Sequence, residues 1–288
     1  MKQTIAFFGL GAMGEPMAAN LLRAGFPVRS AVHRSTAGAE RLSPLGLKLF
    51  PSPAEAADGA DVIITILPAD PEIKEFLLDQ TFSDSLKPGS IIVDMSSATS
   101  DCMKELETAY RPKGIAVIDA PVSGGVTGAE QGTLTIFGSG DETAFEEVRP
   151  VLSAMGRELY YLGPCGTGKA FKNLNNLLSV GNTGLVSEAF RIARENGLDT
   201  GLLYDIINAS SGTSASFKAR WPRMEKENFS GGFQLALARK DVGNALKLGG
   251  ELFLPISALV YRLLETCGDY DAEDMAAVVK AKTDSQGK

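Results

Sequence analysis

The chain has 288 residues, 44% hydrophobic and 22% charged, which fits a globular protein of one or two domains with an ample core. A formal net charge of −7 argues against nucleic acid as a partner, and no run of eighteen apolar residues offers a transmembrane helix. The single histidine, His33, excludes a His-based metal cluster, a Ser-His-Asp triad and a Cys-His dyad. Cys102, Cys165 and Cys267 are widely spaced, form no Cys-x-x-Cys site and suit a reducing compartment. With no basic leader ahead of the first strand, the expectation is a cytoplasmic protein that binds no metal.

Ile5-Ala6-Phe7-Phe8 is an apolar run of strand type that enters Gly9-Leu10-Gly11-Ala12-Met13-Gly14, followed by a helical segment that Gly25 stops. Strand, glycine turn, helix is the context in which a G-x-G-x-x-G binds a dinucleotide. The first glycine permits the tight turn, the second leaves room for a pyrophosphate, and the third lets helix and strand pack closely. The helix start then offers N–H groups and a positive dipole end.

Val28–His33 reads as the second strand. An NAD site usually places Asp or Glu at its end, on the ribose 2′-hydroxyl. Here His33 and Arg34 stand there, nineteen and twenty residues after Gly14. A guanidinium pairs with a 2′-phosphate and no carboxylate opposes it, so NADP is expected over NAD.

Asp61–Leu67, Ser90–Asp94 and Ile115–Asp119 are short, nearly continuous apolar runs, as buried parallel strands should be. Leu134–Phe137 and Glu158–Tyr161 look like further strands, with helices at Thr99–Tyr110 and Glu142–Ala154 between. The alternation predicts a Rossmann-type, doubly wound α/β domain over residues 1–163. Ligands bind at the carboxyl ends of such strands, which makes Leu67, Pro68, Ser96 and Ser97 candidate contacts; capping of the helix at Thr99 is the other reading of the two serines. Asp119-Ala120-Pro121-Val122-Ser123-Gly124-Gly125 also follows a strand. It sets a hydroxyl beside two glycine N–H groups, a donor set that suits a carboxylate.

From Gly166 to Asn196 helix periodicity runs unbroken by proline, roughly 45 Å of helix. Gly181 and Gly184 inside it imply close approach of another helix. Gly201–Asn208, Ala236–Gly249, Ile256–Glu265 and Glu273–Lys282 read as helices too, so residues 164–288 form an all-helical domain entered through the long helix, with a frayed tail. Near its start, Lys172 and Asn176 are four apart and share a face, with Asn175 beside them: a proton donor with an orienting amide. Lys169 reads as a solvated helical lysine. Arg220 and Arg223 either form a phosphate pocket or serve packing around Trp221-Pro222.

Gly9–Gly14, Asp119–Gly125, Gly166–Asn176 and Lys240-Asp241 together resemble the β-hydroxyacid dehydrogenase family, which includes 3-hydroxyisobutyrate dehydrogenase and tartronate semialdehyde reductase. The likeness covers essentially the whole chain. It implies catalysis by Lys172, Asn176 and Ser123, a substrate carboxylate held by Ser123, Gly124 and Gly125 with Asn175 nearby, and a cofactor-side Lys240. It also implies a homodimer or homotetramer. Many members carry Asp where this chain has His33. The 6-phosphogluconate dehydrogenases have His at the position of Asn175, and imine reductases usually replace the lysine found here as Lys172. The expected activity is hydride transfer between NADP, or NAD, and a small β-hydroxyacid/semialdehyde pair. A dinucleotide-sensing module on the same fold is the alternative, and Lys172 speaks against it.

Overall fold

The computed structural model describes residues 2–31 and 36–281. By its internal contacts the chain divides into Met1–Lys172 and Asn173–Lys288, whereas the expected boundary lay at residue 163.

In the first unit, β1 (Ile5–Phe8), β2 (Val28–Ala31), β3 (Lys48–Phe50), β4 (Val62–Thr65), β5 (Ile91–Asp94) and β6 (Ala116–Asp119) form one six-stranded parallel sheet in the order β3-β2-β1-β4-β5-β6. Every residue of β1, β4 and β5 is buried, because helices cover both faces. Phe7, Met17, Leu21 and Val93 pack on one face, and Phe8, Ile63, Ile73 and Leu106 on the other. The strand order reverses between β1 and β4, the point at which open α/β sheets leave a crevice for ligands.

The helices of this unit are α1 (Gly14–Arg23), α2 (Ala37–Leu42), α3 (Pro53–Ala57), α4 (Asp70–Leu77), α5 (Gln80–Ser85), α6 (Ser100–Tyr110), α7 (Gly125–Gln131) and α8 (Glu142–Ser153). Two expected strands do not join the main sheet. β7 (Val122–Ser123), β8 (Leu134–Gly138) and β9 (Gly156–Tyr161) make a separate sheet, antiparallel between β7 and β8 and parallel between β8 and β9. The remainder of the expected second strand, through His33, lies outside the described residues, as does the tail beyond residue 281.

The long helix α9 (Thr167–Glu195) begins in the first unit and continues into the second. There α10 (Thr200–Asn208), α11 (Ala215–Glu225), α12 (Leu235–Gly249) and α13 (Pro255–Glu265) pack around Phe190, Phe217, Trp221, Met224 and Val242. Trp221 meets Phe190 edge-on at 5.0 Å between ring centroids. The last expected helix is instead 3₁₀, over Met275–Lys280. Helix α13 does lie against Gly181 and Gly184, but an added Cβ would meet Val260 at 3.9 Å and Leu263 at 3.4 Å. That is ordinary contact, so α13 does not require either glycine.

Candidate active site

The glycine turn after β1 fits a dinucleotide. Gly9 has φ +103°, and a Cβ there would lie 2.1 Å from the Ile66 carbonyl oxygen. A Cβ on Gly14 would lie 1.9 Å from the Gly9 oxygen. Both glycines are demanded by the protein's own packing. A Cβ on Gly11 would meet nothing within 4 Å, so bare, exposed backbone faces open space where the pyrophosphate of a dinucleotide belongs. Leu10 and Met13 are half-buried and Ala12 is exposed around this opening. Glu15, in the first turn of α1, is gripped by Arg41 through two hydrogen bonds of 2.6 Å. That bonding to Arg41 holds the Glu15 carboxyl below its ordinary value against a smaller opposing effect of burial. The sequence reading missed Gly38, where a Cβ would lie 2.5 Å from the Leu10 oxygen and push α2 off the turn. His33 and Arg34 lie outside the described residues.

At the carboxyl ends of β4 and β5, Leu67 and Ser97 are half-buried and Pro68 is exposed. Ser96 is committed to the scaffold: it is buried, accepts from the Leu67 N–H at 2.8 Å and donates to Asp94 Oδ2 at 2.8 Å. Neither reading of Ser96 as ligand contact or helix cap holds, since Thr99 caps α6 itself by accepting from Cys102 N–H.

Ser123 ends the short strand β7 opposite Thr135, half-buried, and Gly124 and Gly125 follow with φ +132° and +63°. Positive φ at two successive residues turns the chain sharply and exposes both glycines. Gly124 is also confined, since a Cβ there would sit 3.2 Å from Leu134, while Gly125 has open space. Asn20 of α1 donates to the Ala129 carbonyl of α7 at 2.7 Å, so the cofactor helix and the helix after this turn are tied.

Lys172 is buried, 8% exposed, at the end of the first unit. One turn on, in the second unit, Asn176 donates its Nδ2 to Asp241 Oδ2 at 2.5 Å and accepts from Asn175 Nδ2 at 3.2 Å. Lys240 Nζ stands 3.4 Å from Asp241 Oδ1. Asp241 is wholly buried and joins Asn176 to Lys240, a role the sequence reading did not assign.

Lys169 is the largest correction. It is not solvated: its side chain is wholly buried. Its Nζ lies 2.8 Å from Asp94 Oδ1 and 3.0 Å from Asp119 Oδ1, and also donates to the carbonyls of Asp94 at 3.0 Å and Ser96 at 2.8 Å. Burial opposes the charge, but the two carboxylates outweigh it and hold the ammonium above its ordinary value. Burial pushes the Asp119 carboxyl up, more than Lys169 and Ser139 draw it down. The neighbouring Gly168 is required here, because a Cβ would fall 2.2 Å from the Phe137 oxygen and 3.0 Å from Asp119 Oδ2.

Arg220 and Arg223 serve the helical unit. Arg220 pairs with buried Asp274 at 2.7 Å, and Arg223 donates to the carbonyls of Asn228 and Ser230. Burial pushes the thiols of Cys102 and Cys165 up to about 12, which leaves them unreactive. No cluster of His, Cys, Asp and Glu among the described residues is arranged to hold a metal, and no described helix is long and apolar enough to cross a membrane.

The comparisons agree with this geometry along the chain. The family model described as NAD binding domain of 6-phosphogluconate dehydrogenase matches residues 4–163. The one described as NAD-binding of NADP-dependent 3-hydroxyisobutyrate dehydrogenase matches residues 166–282. The chain is 37% identical to 2-(hydroxymethyl)glutarate dehydrogenase of Eubacterium barkeri, over 96% of this chain and 93% of that protein. It is 34% identical to 2-hydroxy-3-oxopropionate reductase of Escherichia coli, over 96% of each. The solved structure of Mycobacterium tuberculosis 3-hydroxyisobutyrate dehydrogenase with L-serine superposes with a TM-score of 0.85 at 31% identity, covering 97% of this chain and 99% of that one. With the glycine cradle built for a dinucleotide and likeness of this extent, the chain belongs to the β-hydroxyacid dehydrogenase family and is an NAD(P)-dependent dehydrogenase.

Proposed function

We propose that this enzyme interconverts a small β-hydroxyacid and its semialdehyde with Lys172 as general acid and base. The observation that carries the reading is a buried lysine one helical turn before an asparagine whose amide is fixed by a buried aspartate. The nicotinamide, when bound, supplies or accepts the hydride. In the reducing direction the Lys172 ammonium gives a proton to the substrate oxygen, and in the oxidising direction the neutral amine takes the hydroxyl proton. A free lysine titrates near ~10.4, so oxidation at neutral pH needs an environment that favours the amine. Asn176 orients Lys172 or the reacting oxygen. The Ser123 hydroxyl and the exposed N–H groups of Gly124 and Gly125 hold the substrate carboxylate.

The relatives' names span a hydroxymethyl diacid, a 2-hydroxy-3-oxo acid and a branched hydroxyacid, so their common element is a carboxylate beside a primary alcohol or its aldehyde. NADP is preferred over NAD on the strength of His33-Arg34. Turnover of a panel of such acids and semialdehydes with both cofactors tests the reading. A protein that binds dinucleotide tightly yet turns over none of them is a sensor.

The chain assembles as a homo-oligomer. Leu178, Leu185 and Ile192 repeat every seven residues along α9 and are all more than 60% exposed, and Phe253 and Ile256 add to the apolar surface of this unit at 89% and 74%. A stripe of this kind calls for a partner, and a second copy supplies it. Three cysteines buried as free thiols fit the reducing cytoplasm.

A further inference from the structure

We infer that Lys169 is a positioning residue for Lys172, a buried ammonium that fixes the start of the catalytic helix against the strand ends around it. The inference rests on the proposed role of Lys172.

Two strand ends converge on this ammonium. It donates to Asp94 Oδ1 at 2.8 Å and to the carbonyls of Asp94 and Ser96 at 3.0 and 2.8 Å, and it forms an ion pair with Asp119 Oδ1 at 3.0 Å; Asp94 and Asp119 are the last residues of β5 and β6. Asp94 Oδ2 in turn accepts from Thr65 Oγ1 at 2.6 Å, at the end of β4, and from Ser96 Oγ, which holds the Leu67 N–H. The first turn of α9 is gripped by its backbone as well. The Lys169 N–H donates to Asp119 Oδ2 at 2.9 Å and the Gly168 N–H to Ser139 Oγ at 3.0 Å, while Ser139 Oγ donates to Asp119 Oδ2 at 2.9 Å. The first turn of α9, which leads to Lys172, is therefore held against the ends of β5 and β6 by one hydrogen-bonded cluster.

Stability alone does not call for such a device. Two carboxylates and an ammonium removed from water lose solvation that their attraction only partly returns, and well-packed apolar side chains serve a fold as well or better. Ion pairs and hydrogen bonds give direction instead. Lys172 is three residues on from Lys169, and side chains at that spacing are neighbours on a helix. A rotation or slide of the first turn moves the Lys172 amine with it. Displacing a catalytic group by about 1 Å can cost on the order of 100-fold in rate.

The test is the charge-balanced pair Lys169→Gln with Asp119→Asn, made in one protein. It keeps the net charge of the cluster and hydrogen-bonding groups at both positions but removes the ammonium's direction. Thermal unfolding, dinucleotide affinity by fluorescence of the bound reduced cofactor, and kcat and KM across pH are measured, with Lys172→Ala alongside. The expected result is a folded protein with dinucleotide Kd and acid KM within about 3-fold of the parent, kcat lowered about 10-fold or more, and the limb of the kcat–pH profile that reports Lys172 displaced. Should the pair not fold, Thr65→Val loosens Asp94 without altering charge and lowers kcat in the same way to a smaller extent. Parental kcat and pH profile in either folded variant, with Lys172→Ala inactive, overturns this inference and leaves the role of Lys172 standing. Equal losses in kcat, KM and dinucleotide affinity show general damage and also overturn it. An active Lys172→Ala removes the general acid itself, and the inference falls with it.

Discussion

Asn176 gives its amide N–H to the wholly buried carboxylate of Asp241, 65 positions away in the sequence, at 2.5 Å. With that bond made, the amide oxygen is turned toward Asn175, and the side chain that follows Lys172 by one turn has one orientation. A hydrogen bond to a charged group contributes about 1.5–3 kcal/mol. Asp241→Ala should therefore lower kcat/KM by roughly 10- to 100-fold. Asn176→Ala should give a similar loss, and the double variant little more than either, since the two act as a unit. Steady-state kinetics of the four proteins checks this, and additive losses would separate the two residues.

Lys172→Ala should reduce kcat by roughly 100-fold or more while leaving dinucleotide affinity nearly intact, as loss of a general acid does. The control cannot be Lys169, whose removal leaves Asp94 and Asp119 buried and unpaired; breaking such a cluster costs about 3–5 kcal/mol of stability. Lys104, exposed on α6, is the proper control and its alanine variant should retain full activity.

How far the site was legible follows from how local each requirement is. The glycines at 9, 11 and 14 and the turn at Ser123–Gly125 are each set by short spacings that follow a strand, so the sequence carries them openly even though Gly9 answers to Ile66 of the neighbouring strand segment. Lys169 does not read this way. Its partners lie 75 and 50 positions earlier, and a lysine on a helix looks the same whether it meets water or two strand ends. An available signal was the pair of aspartates closing two buried apolar strands at Asp94 and Asp119, where a carboxylate needs a partner. The second sheet was hidden for a similar reason: β7 has only two residues, too few to show a period, and strand membership in a sheet depends on pairing across the chain. Helix α11 escaped because Pro222 interrupts its pattern.

The buried cluster also predicts a pH dependence. Burial raises Asp119 above the ordinary carboxyl value, and Lys169, with its two carboxylates outweighing burial, is raised as well. A group raised in the folded state contributes stability that is present below its unfolded value and is lost as pH rises through the folded one. For Asp119 the loss begins above about pH 4, and for Lys169 only above about pH 10. Asp119→Asn should therefore flatten the decline of the unfolding midpoint on the alkaline side of pH 4. A variant whose midpoint follows the parental pH curve would show that Asp119 does not titrate in that window.

Ser123→Ala should raise KM for an acid substrate more than for its uncharged analogue. Ser123 precedes two exposed glycines, and one charge-assisted hydrogen bond from its hydroxyl is worth about 1.5–3 kcal/mol, or roughly 10- to 100-fold. The amide or methyl ester of the same substrate, which offers no carboxylate, is the comparison. Equal effects on charged and uncharged substrates would give Ser123 a different task.

Cofactor choice rests on His33 and Arg34, in a segment outside the described residues. A guanidinium can pair with a 2′-phosphate, and the sequence Val32-His33-Arg34-Ser35 holds no carboxylate to receive a 2′-hydroxyl or repel the phosphate. A charge-assisted pair of this kind contributes about 1–2 kcal/mol, near 10-fold in kcat/KM. NADP should therefore be favoured by about that factor, and the preference should shrink as salt is raised, because salt screens an ionic pair. Arg34→Ala should erode use of NADP while sparing NAD, and His33→Asp should move the enzyme toward NAD by restoring an acceptor for the ribose hydroxyl and placing a negative charge against the phosphate. Steady-state kinetics with both cofactors at low and high salt decides the matter. A parent enzyme that favours NAD by 10-fold, with Arg34→Ala unchanged in both cofactors, would mean that the guanidinium points into solvent and that selection lies elsewhere in the crevice.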